Sequence, residues 1–282
     1  SLFQPFSLLR NMFIISNFAK LCNRVIIFCM KNYLIDTHAH IDMLENTENA
    51  VQEAYDNGVK KIILPCAYPK DIKKIYDIAL TYGNVYALLG VHPSEAKDWS
   101  DDLACEIKEL AKHPKIKGIG EIGLDYYWDK SFNDIQKEVF IKQIKLANEL
   151  NLPICVHDRE AHKDTFDILS EFNQGSTVVM HCFSGSAEFA KECVKKGWYL
   201  ALGGVVTFKN AVKMKEVAAE IPLENLLLET DSPYLTPVPF RGKENRPAYV
   251  KYVAEEIAKI RNLDIEFIAQ ITAQNAEKVF NI

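Results

Sequence analysis

The chain has 282 residues, 48% of them hydrophobic and 25% charged, with a formal net charge of −5. That is enough apolar material for a sizeable core, and it fits one α/β barrel domain as well as two smaller domains. The acidic balance excludes a chain-wide basic field, so a nucleic-acid partner has to be held at a local site. Seven cysteines with no C-x-x-C pair and no regular spacing point to reduced thiols and a cytoplasmic protein.

Residues 1–29 stand apart. They contain Arg10, Lys20 and Arg24 but no acid. Apolar runs such as 12–16 and 25–29 are too short to span a bilayer, and no small-residue cleavage site follows a single apolar stretch, so no membrane partner is expected. The expected domain is 30–282, starting at Met30, with residues 1–29 as read-through from an over-extended gene model. An acid-poor transit segment is the other reading.

From Tyr33 onward, short apolar runs alternate with amphipathic stretches. The runs fall at 33–36, 59–65, 85–91, 116–122, 153–157, 177–181, 198–203 and 225–229. Between them, a helical pattern at 49–57 stops at Gly58, and another at 71–82 stops at Gly83. Ser100 is placed as an N-cap ahead of Asp101 and Asp102. The stretch 134–150 carries Ile135, Val139, Ile141, Ile144, Leu146, Ala147 and Leu150 near a 3.6-residue period. Eight strand–helix units in succession describe a (β/α)8 TIM barrel. A doubly wound open sheet would place a glycine fingerprint after its first strand, where this chain reads "DTHAH".

That first strand ends in His38 and His40, which share a face because strand residues two apart point the same way. At the C-terminal end of a barrel strand, that face lies in the mouth where barrel enzymes keep their chemistry. The pair alone is a weak signal. Glu121 ends the fourth strand, His157 the fifth and His181 the sixth, and Asp231 lies just past the eighth. Imidazoles with carboxylates suit divalent first-row metals, and six such ligands exceed what one catalytic zinc takes while keeping an open position. Two ions sharing one bridging carboxylate is the simpler expectation, with Mg, Mn or Zn as candidates.

The segments "IDTHAHID", "GVHPSEA", "GEIGLDYY", "VHDREA", "HCFSGS", "ETDSPYL" and "FRGKENRPAYV" resemble, in order, the TatD-type metal-dependent deoxyribonucleases. The resemblance runs from about Leu34 to the C-terminus and implies a barrel with a two-metal site that hydrolyses DNA phosphodiesters. By motif it implies that His38, His40 and Asp231 hold one metal, that His157 and His181 hold the other, and that Glu121 bridges. Arg246 stands before Pro247 where the family often has an acid, which would add a phosphate contact or merely alter a surface loop.

Two ions about 3.5–4 Å apart can share a hydroxide for an in-line displacement. Asp231 is then the residue expected to orient that hydroxide and accept its proton, with Glu121 between the ions. His92, in "GVHPSEA", is expected to touch a phosphate or the leaving group and not to be required as a ligand; a histidine held in a structural turn is the bland alternative. Arg159 and Arg241 are expected to contact phosphate, helped by Lys209, Lys243 and Arg246, although each is as readily a solvated surface charge. Tyr126, Tyr127 and Trp128, with Asp125, read as an aromatic loop beyond Glu121. Glu229 reads as support for the site or barrel filling, and Cys155 as barrel filling; Cys182 is rejected as a nucleophile because its neighbour His181 is a ligand. The resemblance implies DNA as the partner and 3′→5′ exonuclease action, and the few candidate phosphate contacts agree with a grip over a short stretch at strand ends; the residues themselves leave exo- against endonuclease action open. The oligomeric state stays open, a monomer being the simplest case. The competing enzyme class is an amidohydrolase cleaving C–N or C–O bonds in a small molecule or an aminoacyl-tRNA. It is disfavoured because strand four supplies a Glu and not a lysine that could be carbamylated. A non-catalytic metal-binding scaffold is the third possibility, disfavoured by an intact ligand set.

Overall fold

A computed structural model describes residues 33–282. The domain boundary expected at Met30 lies outside the described residues. Eight parallel strands follow one another in chain order around the sheet: β1 (Leu34–Asp36), β2 (Val59–Pro65), β3 (Val85–Leu89), β4 (Ile116–Asp125), β5 (Ile154–Arg159), β6 (Val178–Met180), β7 (Tyr199–Leu202) and β8 (Leu226–Leu228). Helices α1 (Thr47–Asp56), α2 (Ile72–Thr81), α3 (Asp101–Leu110), α4 (Asn133–Leu150), α5 (His162–Phe172), α6 (Ala187–Lys195) and α7 (Val212–Glu220) connect them. Two more, α8 (Val250–Arg261) and α9 (Ile265–Phe280), complete the chain. The expected (β/α)8 barrel is the fold. None of the described helices is long and apolar enough to cross a membrane.

The strands are short and apolar because both their faces are covered. Their outer side chains pack with the helices into one large core. Their inner side chains, among them Ile35, Ile63, Leu88, Cys155, Val179 and Leu227, fill the barrel. Ala273, Ala276, Val279 and Phe280 of α9 belong to this inner cluster, so the last helix closes the end opposite the mouth. Cys155 is thus the small filling residue that was expected. Helix starts follow their caps: the Asn46 side chain accepts from Asn49 N–H before α1, and Ser100 accepts from Leu103 N–H before α3.

No regular ladder joins β8 to β1. The seam is closed beyond the strand ends, where Thr37 N–H donates to Leu228 O (3.0 Å), Asp231 N–H to His38 O (2.9 Å) and His40 N–H to Ser232 O (2.8 Å). Buried Asp36 sews the same seam. Its carboxylate accepts from Thr230 N–H (2.9 Å), from Thr230 Oγ1 (2.5 Å) and, at 3.3 Å, from His38 N–H.

Two expectations need correction. The fourth strand runs on to Asp125 instead of stopping at Ile122, because β4 and β5 keep pairing past the barrel rim, Gly123 against His157 and Asp125 against Arg159. Gly123 permits this: a Cβ there would sit 2.0 Å from His157 O. On α4, Ile135 is exposed, while Gln136 and Gln143 are buried.

Candidate metal centre

The mouth of the barrel holds a cavity of about 710 Å³ lined by His40, His92, Glu121, His157, His181 and Asp231, with Arg159 and Trp128 at its side. His38 lies beneath, fully buried. The structure therefore brings all six expected ligands to one place.

Glu121 is the centre of the arrangement. Its Oε2 faces the first histidine pair, 3.3 Å from His38 Nε2 and 3.6 Å from His40 Nε2. Its Oε1 faces the other side, 2.8 Å from His157 Nδ1. His181 Nε2 comes within 2.9 Å of that same oxygen without reaching hydrogen-bond geometry. Asp231 Oδ1 lies 3.9 and 3.7 Å from the Nε2 atoms of His38 and His40, which are themselves 3.3 Å apart. Asp231 sits at φ 54°, a left-handed conformation that Asp tolerates better than most residues.

The donor set suits cations. His40 Nδ1, both ring nitrogens of His181 and Glu229 Oε2 are buried without a hydrogen-bond partner. Orphaned polar atoms of this kind are costly. Imidazole nitrogens and carboxylate oxygens crowded this closely are the ligands that divalent metals take. Among the described residues, three groups come close enough to share an ion: His38, His40 and Asp231; His92, Glu121 and His157; and His38, His181 and Glu229.

Burial drives the electrostatics. It lowers His38 well below the ordinary imidazole range, helped by His181, which stacks on it at 3.7 Å between ring centroids. Burial also opposes the charged forms of Glu121 and His181, but each overcomes it. The imidazoles of His181, His92 and His157 hold Glu121 well below the usual carboxylate range, while Glu121 and Glu229 hold His181 well above its own. Burial pushes Asp231 up to about 7, opposed by His181 and aided by Glu121 and Glu229.

The surrounding residues orient the ligands. Cys155 Sγ lies 3.4 Å from His38 Nδ1, which turns Nε2 towards Glu121. Asp125 Oδ2 lies 3.0 Å from His157 Nε2. Glu229 accepts from Cys182 N–H (2.6 Å) and lies 3.6 Å from His181 Nδ1. Carboxylates behind metal-ligating imidazoles fix ring orientation. Burial pushes the Cys182 thiol well above its ordinary range, which agrees with rejecting it as a nucleophile.

The outer residues divide. His92 reaches the site, with Nε2 3.6 Å from Glu121 Oε1 and Nδ1 accepting from Ser94 N–H. Arg159 lines the cavity with its guanidinium over the Tyr127 ring at 3.9 Å. Arg241 does not line it; its guanidinium lies over Phe208 at 3.8 Å, drawn to the ring face. Arg246 is spent on the surface in an ion pair with Glu53 (3.0 Å). Asp125 was missed as a partner of His157. Its parity with Glu121 along one strand was the available signal, and the intervening Gly123 hid it. Tyr234, which also lines the cavity, was missed as well.

A barrel with this donor set at its mouth defines a metal-dependent hydrolase. The chain belongs to the TatD related DNase family, which it matches over residues 35–281. It is 49% identical to the uncharacterized metal-dependent hydrolase YabD of Bacillus subtilis (strain 168) over 255 residues, 88% of this chain and 99% of that protein. It is 36% identical to the uncharacterized metal-dependent hydrolase YcfH of Escherichia coli (strain K12), covering 89% of this chain and 96% of the other. Among solved structures, the TatD homologue YjjV from Escherichia coli K12 superposes with a TM-score of 0.85 at 32% identity, over 90% of this chain and all of that one.

Proposed function

We propose that this chain is a metal-dependent 3′→5′ exodeoxyribonuclease. The observation that carries the proposal is the division of Glu121, one oxygen towards His38 and His40 and the other towards His157 and His181. That is the geometry asked of a carboxylate shared by two ions. His38, His40 and Asp231 hold one divalent ion in this reading, His157 and His181 the second, with Mg, Mn or Zn as candidates. Bound there, the ions supply an ionised water near neutral pH and offset charge on the attacking and leaving oxygens.

The chain's own residues do the rest. Asp231, with its carboxylate beside the first histidine pair, orients the water and takes its proton. His92 accepts at Nδ1 from Ser94 N–H, which leaves the ring proton on Nε2 and makes the residue a donor to a phosphate oxygen, not a ligand. Arg159 offers a planar fork to a second phosphate oxygen. The cavity is of small-molecule size and suits a terminal nucleotide better than a length of duplex.

The test uses protein stripped of metal and reloaded separately with Mg, Mn or Zn, on single- and double-stranded DNA labelled at either end. Metal-dependent release of mononucleotides from the 3′ end is expected. No turnover of DNA with any metal, alongside hydrolysis of ester or amide substrates, would move the chain to the amidohydrolase-type alternative.

A further inference from the structure

Trp128 is the largest unexplained cost on this surface. It is 73% exposed, yet it lines the catalytic cavity. An exposed indole that borders a polar cavity, with an apolar face and a polar edge, is placed to meet a ligand there. Its surroundings fix it in place. Tyr127 meets it edge to face, with centroids 4.8 Å apart and planes at 87°, and Tyr127 carries the Arg159 guanidinium on its own ring. The backbone is pinned as well. Asp125 Oδ1 accepts from Tyr127 N–H (2.9 Å) and Trp128 N–H (3.4 Å), while Oδ2 of the same carboxylate lies 3.0 Å from His157 Nε2. One side chain therefore ties the indole to the metal centre.

We infer that Trp128 is a stacking platform for a nucleobase of the bound strand, with Arg159 taking the phosphate of the same segment. The inference rests on the nuclease reading and deepens it. An exposed indole face accepts any base, because every base has a π-face. The cation beside it, already stacked on Tyr127, needs little ordering to meet a phosphate. Base and phosphate are then gripped side by side at a set distance from Glu121 and His157.

The probe is a short single-stranded oligonucleotide and a second of equal length and charge in which every base is replaced by an abasic residue. Both are titrated into the metal-loaded protein by indole fluorescence and by competition. Trp198 is buried and Trp99 partly so, which leaves Trp128 as the accessible reporter among the described tryptophans. The wild type should bind the normal strand roughly tenfold more tightly than the abasic one, the scale of one stacked base. Trp128→Ala should erase that preference and raise KM far more than it changes kcat, and Trp128→Phe should restore most of it. Equal binding of both strands by the wild type, or a preference that survives in Trp128→Ala, overturns the platform alone. No binding of either strand overturns the nuclease reading beneath it.

Discussion

Truncating Glu121 removes the side chain that faces both histidine groups with separate oxygens. Glu121→Ala should abolish metal-dependent turnover and reduce bound metal, whereas His92→Ala, losing one donor to the transition state, should slow the reaction by roughly 10²–10³-fold with metal content unchanged. Metal analysis beside initial rates decides it, and a near-normal Glu121→Ala enzyme would remove that residue from the centre. A second residue-scale test concerns His162, whose Nδ1–H donates to Asp158 Oδ2 at 2.7 Å. That hydrogen bond raises the imidazole above its ordinary pKa despite partial burial. A raised folded value means the contact stabilises fully below the unfolded pKa of about 6.5 and is lost as pH rises through the folded one. In Asp158→Asn the His162 ring should titrate closer to its ordinary value by NMR; an unmoved titration would show that Asp158 is not the cause. At this scale the sequence was legible where a ligand lies on a strand, since parity sets the face of Glu121 and His157, whereas His38 and His40 lie past the end of β1 and are placed by the seam hydrogen bonds. Arg241, expected at a phosphate, lies over Phe208 outside the cavity lining; loop residues have no parity, and nothing in "FRGK" says that Phe208 waits beneath the guanidinium.

The elements show a different limit. Gln143 of α4 reaches the backbone of Val91, accepting from its N–H (2.8 Å) and donating to its O (3.0 Å). Gln136, two turns earlier, does the same for Asp125 at 2.9 and 3.0 Å. Both are buried, so each amide satisfies backbone where β3 and β4 give way to the loops of the site. Gln143→Leu keeps the volume but leaves two buried groups unpaired, which should cost about 2–4 kcal/mol by urea unfolding and lower kcat/KM through the displaced His92. An unchanged midpoint would mean that water replaces the amide. Hydrophobic periodicity located this helix to within a residue at its start. It placed Val139, Ile144, Leu146 and Ala147 on the buried face and failed only at Ile135 and the two glutamines, because a polar side chain that serves backbone looks like a solvent-facing one in the sequence. The strand count was legible for the opposite reason: parallel strands covered on both sides must be apolar throughout.

For the whole molecule, on the proposed nuclease reading, the net charge of −5 limits how DNA would be held. Arg159 is the cationic side chain of the cavity lining among the described residues, while Arg241 and Arg246 are engaged elsewhere. The salt dependence of DNA binding should therefore be shallow, with a slope nearer one to three phosphates than the roughly six to ten of an extended binder. A steep slope, or tight binding of long duplex by metal-free protein, would reveal a basic track elsewhere. The seam between β1 and β8 carries a further consequence. His38, His40 and Asp231 are proposed ligands through their side chains, and their backbones also form the hydrogen bonds that join the first strand to the last. An ion held by those side chains therefore clamps the seam, because binding to the native state alone stabilises it. Chelation should lower the melting temperature, and amide hydrogen exchange should show where the protein loosens. The His40 and Asp231 amides should lose protection first, ahead of the β3–β4 and β4–β5 ladders. Uniform loss around the ring would refute this. If it holds, the stripped protein opens like a hoop at its clasp, and the clasp is the reactive centre.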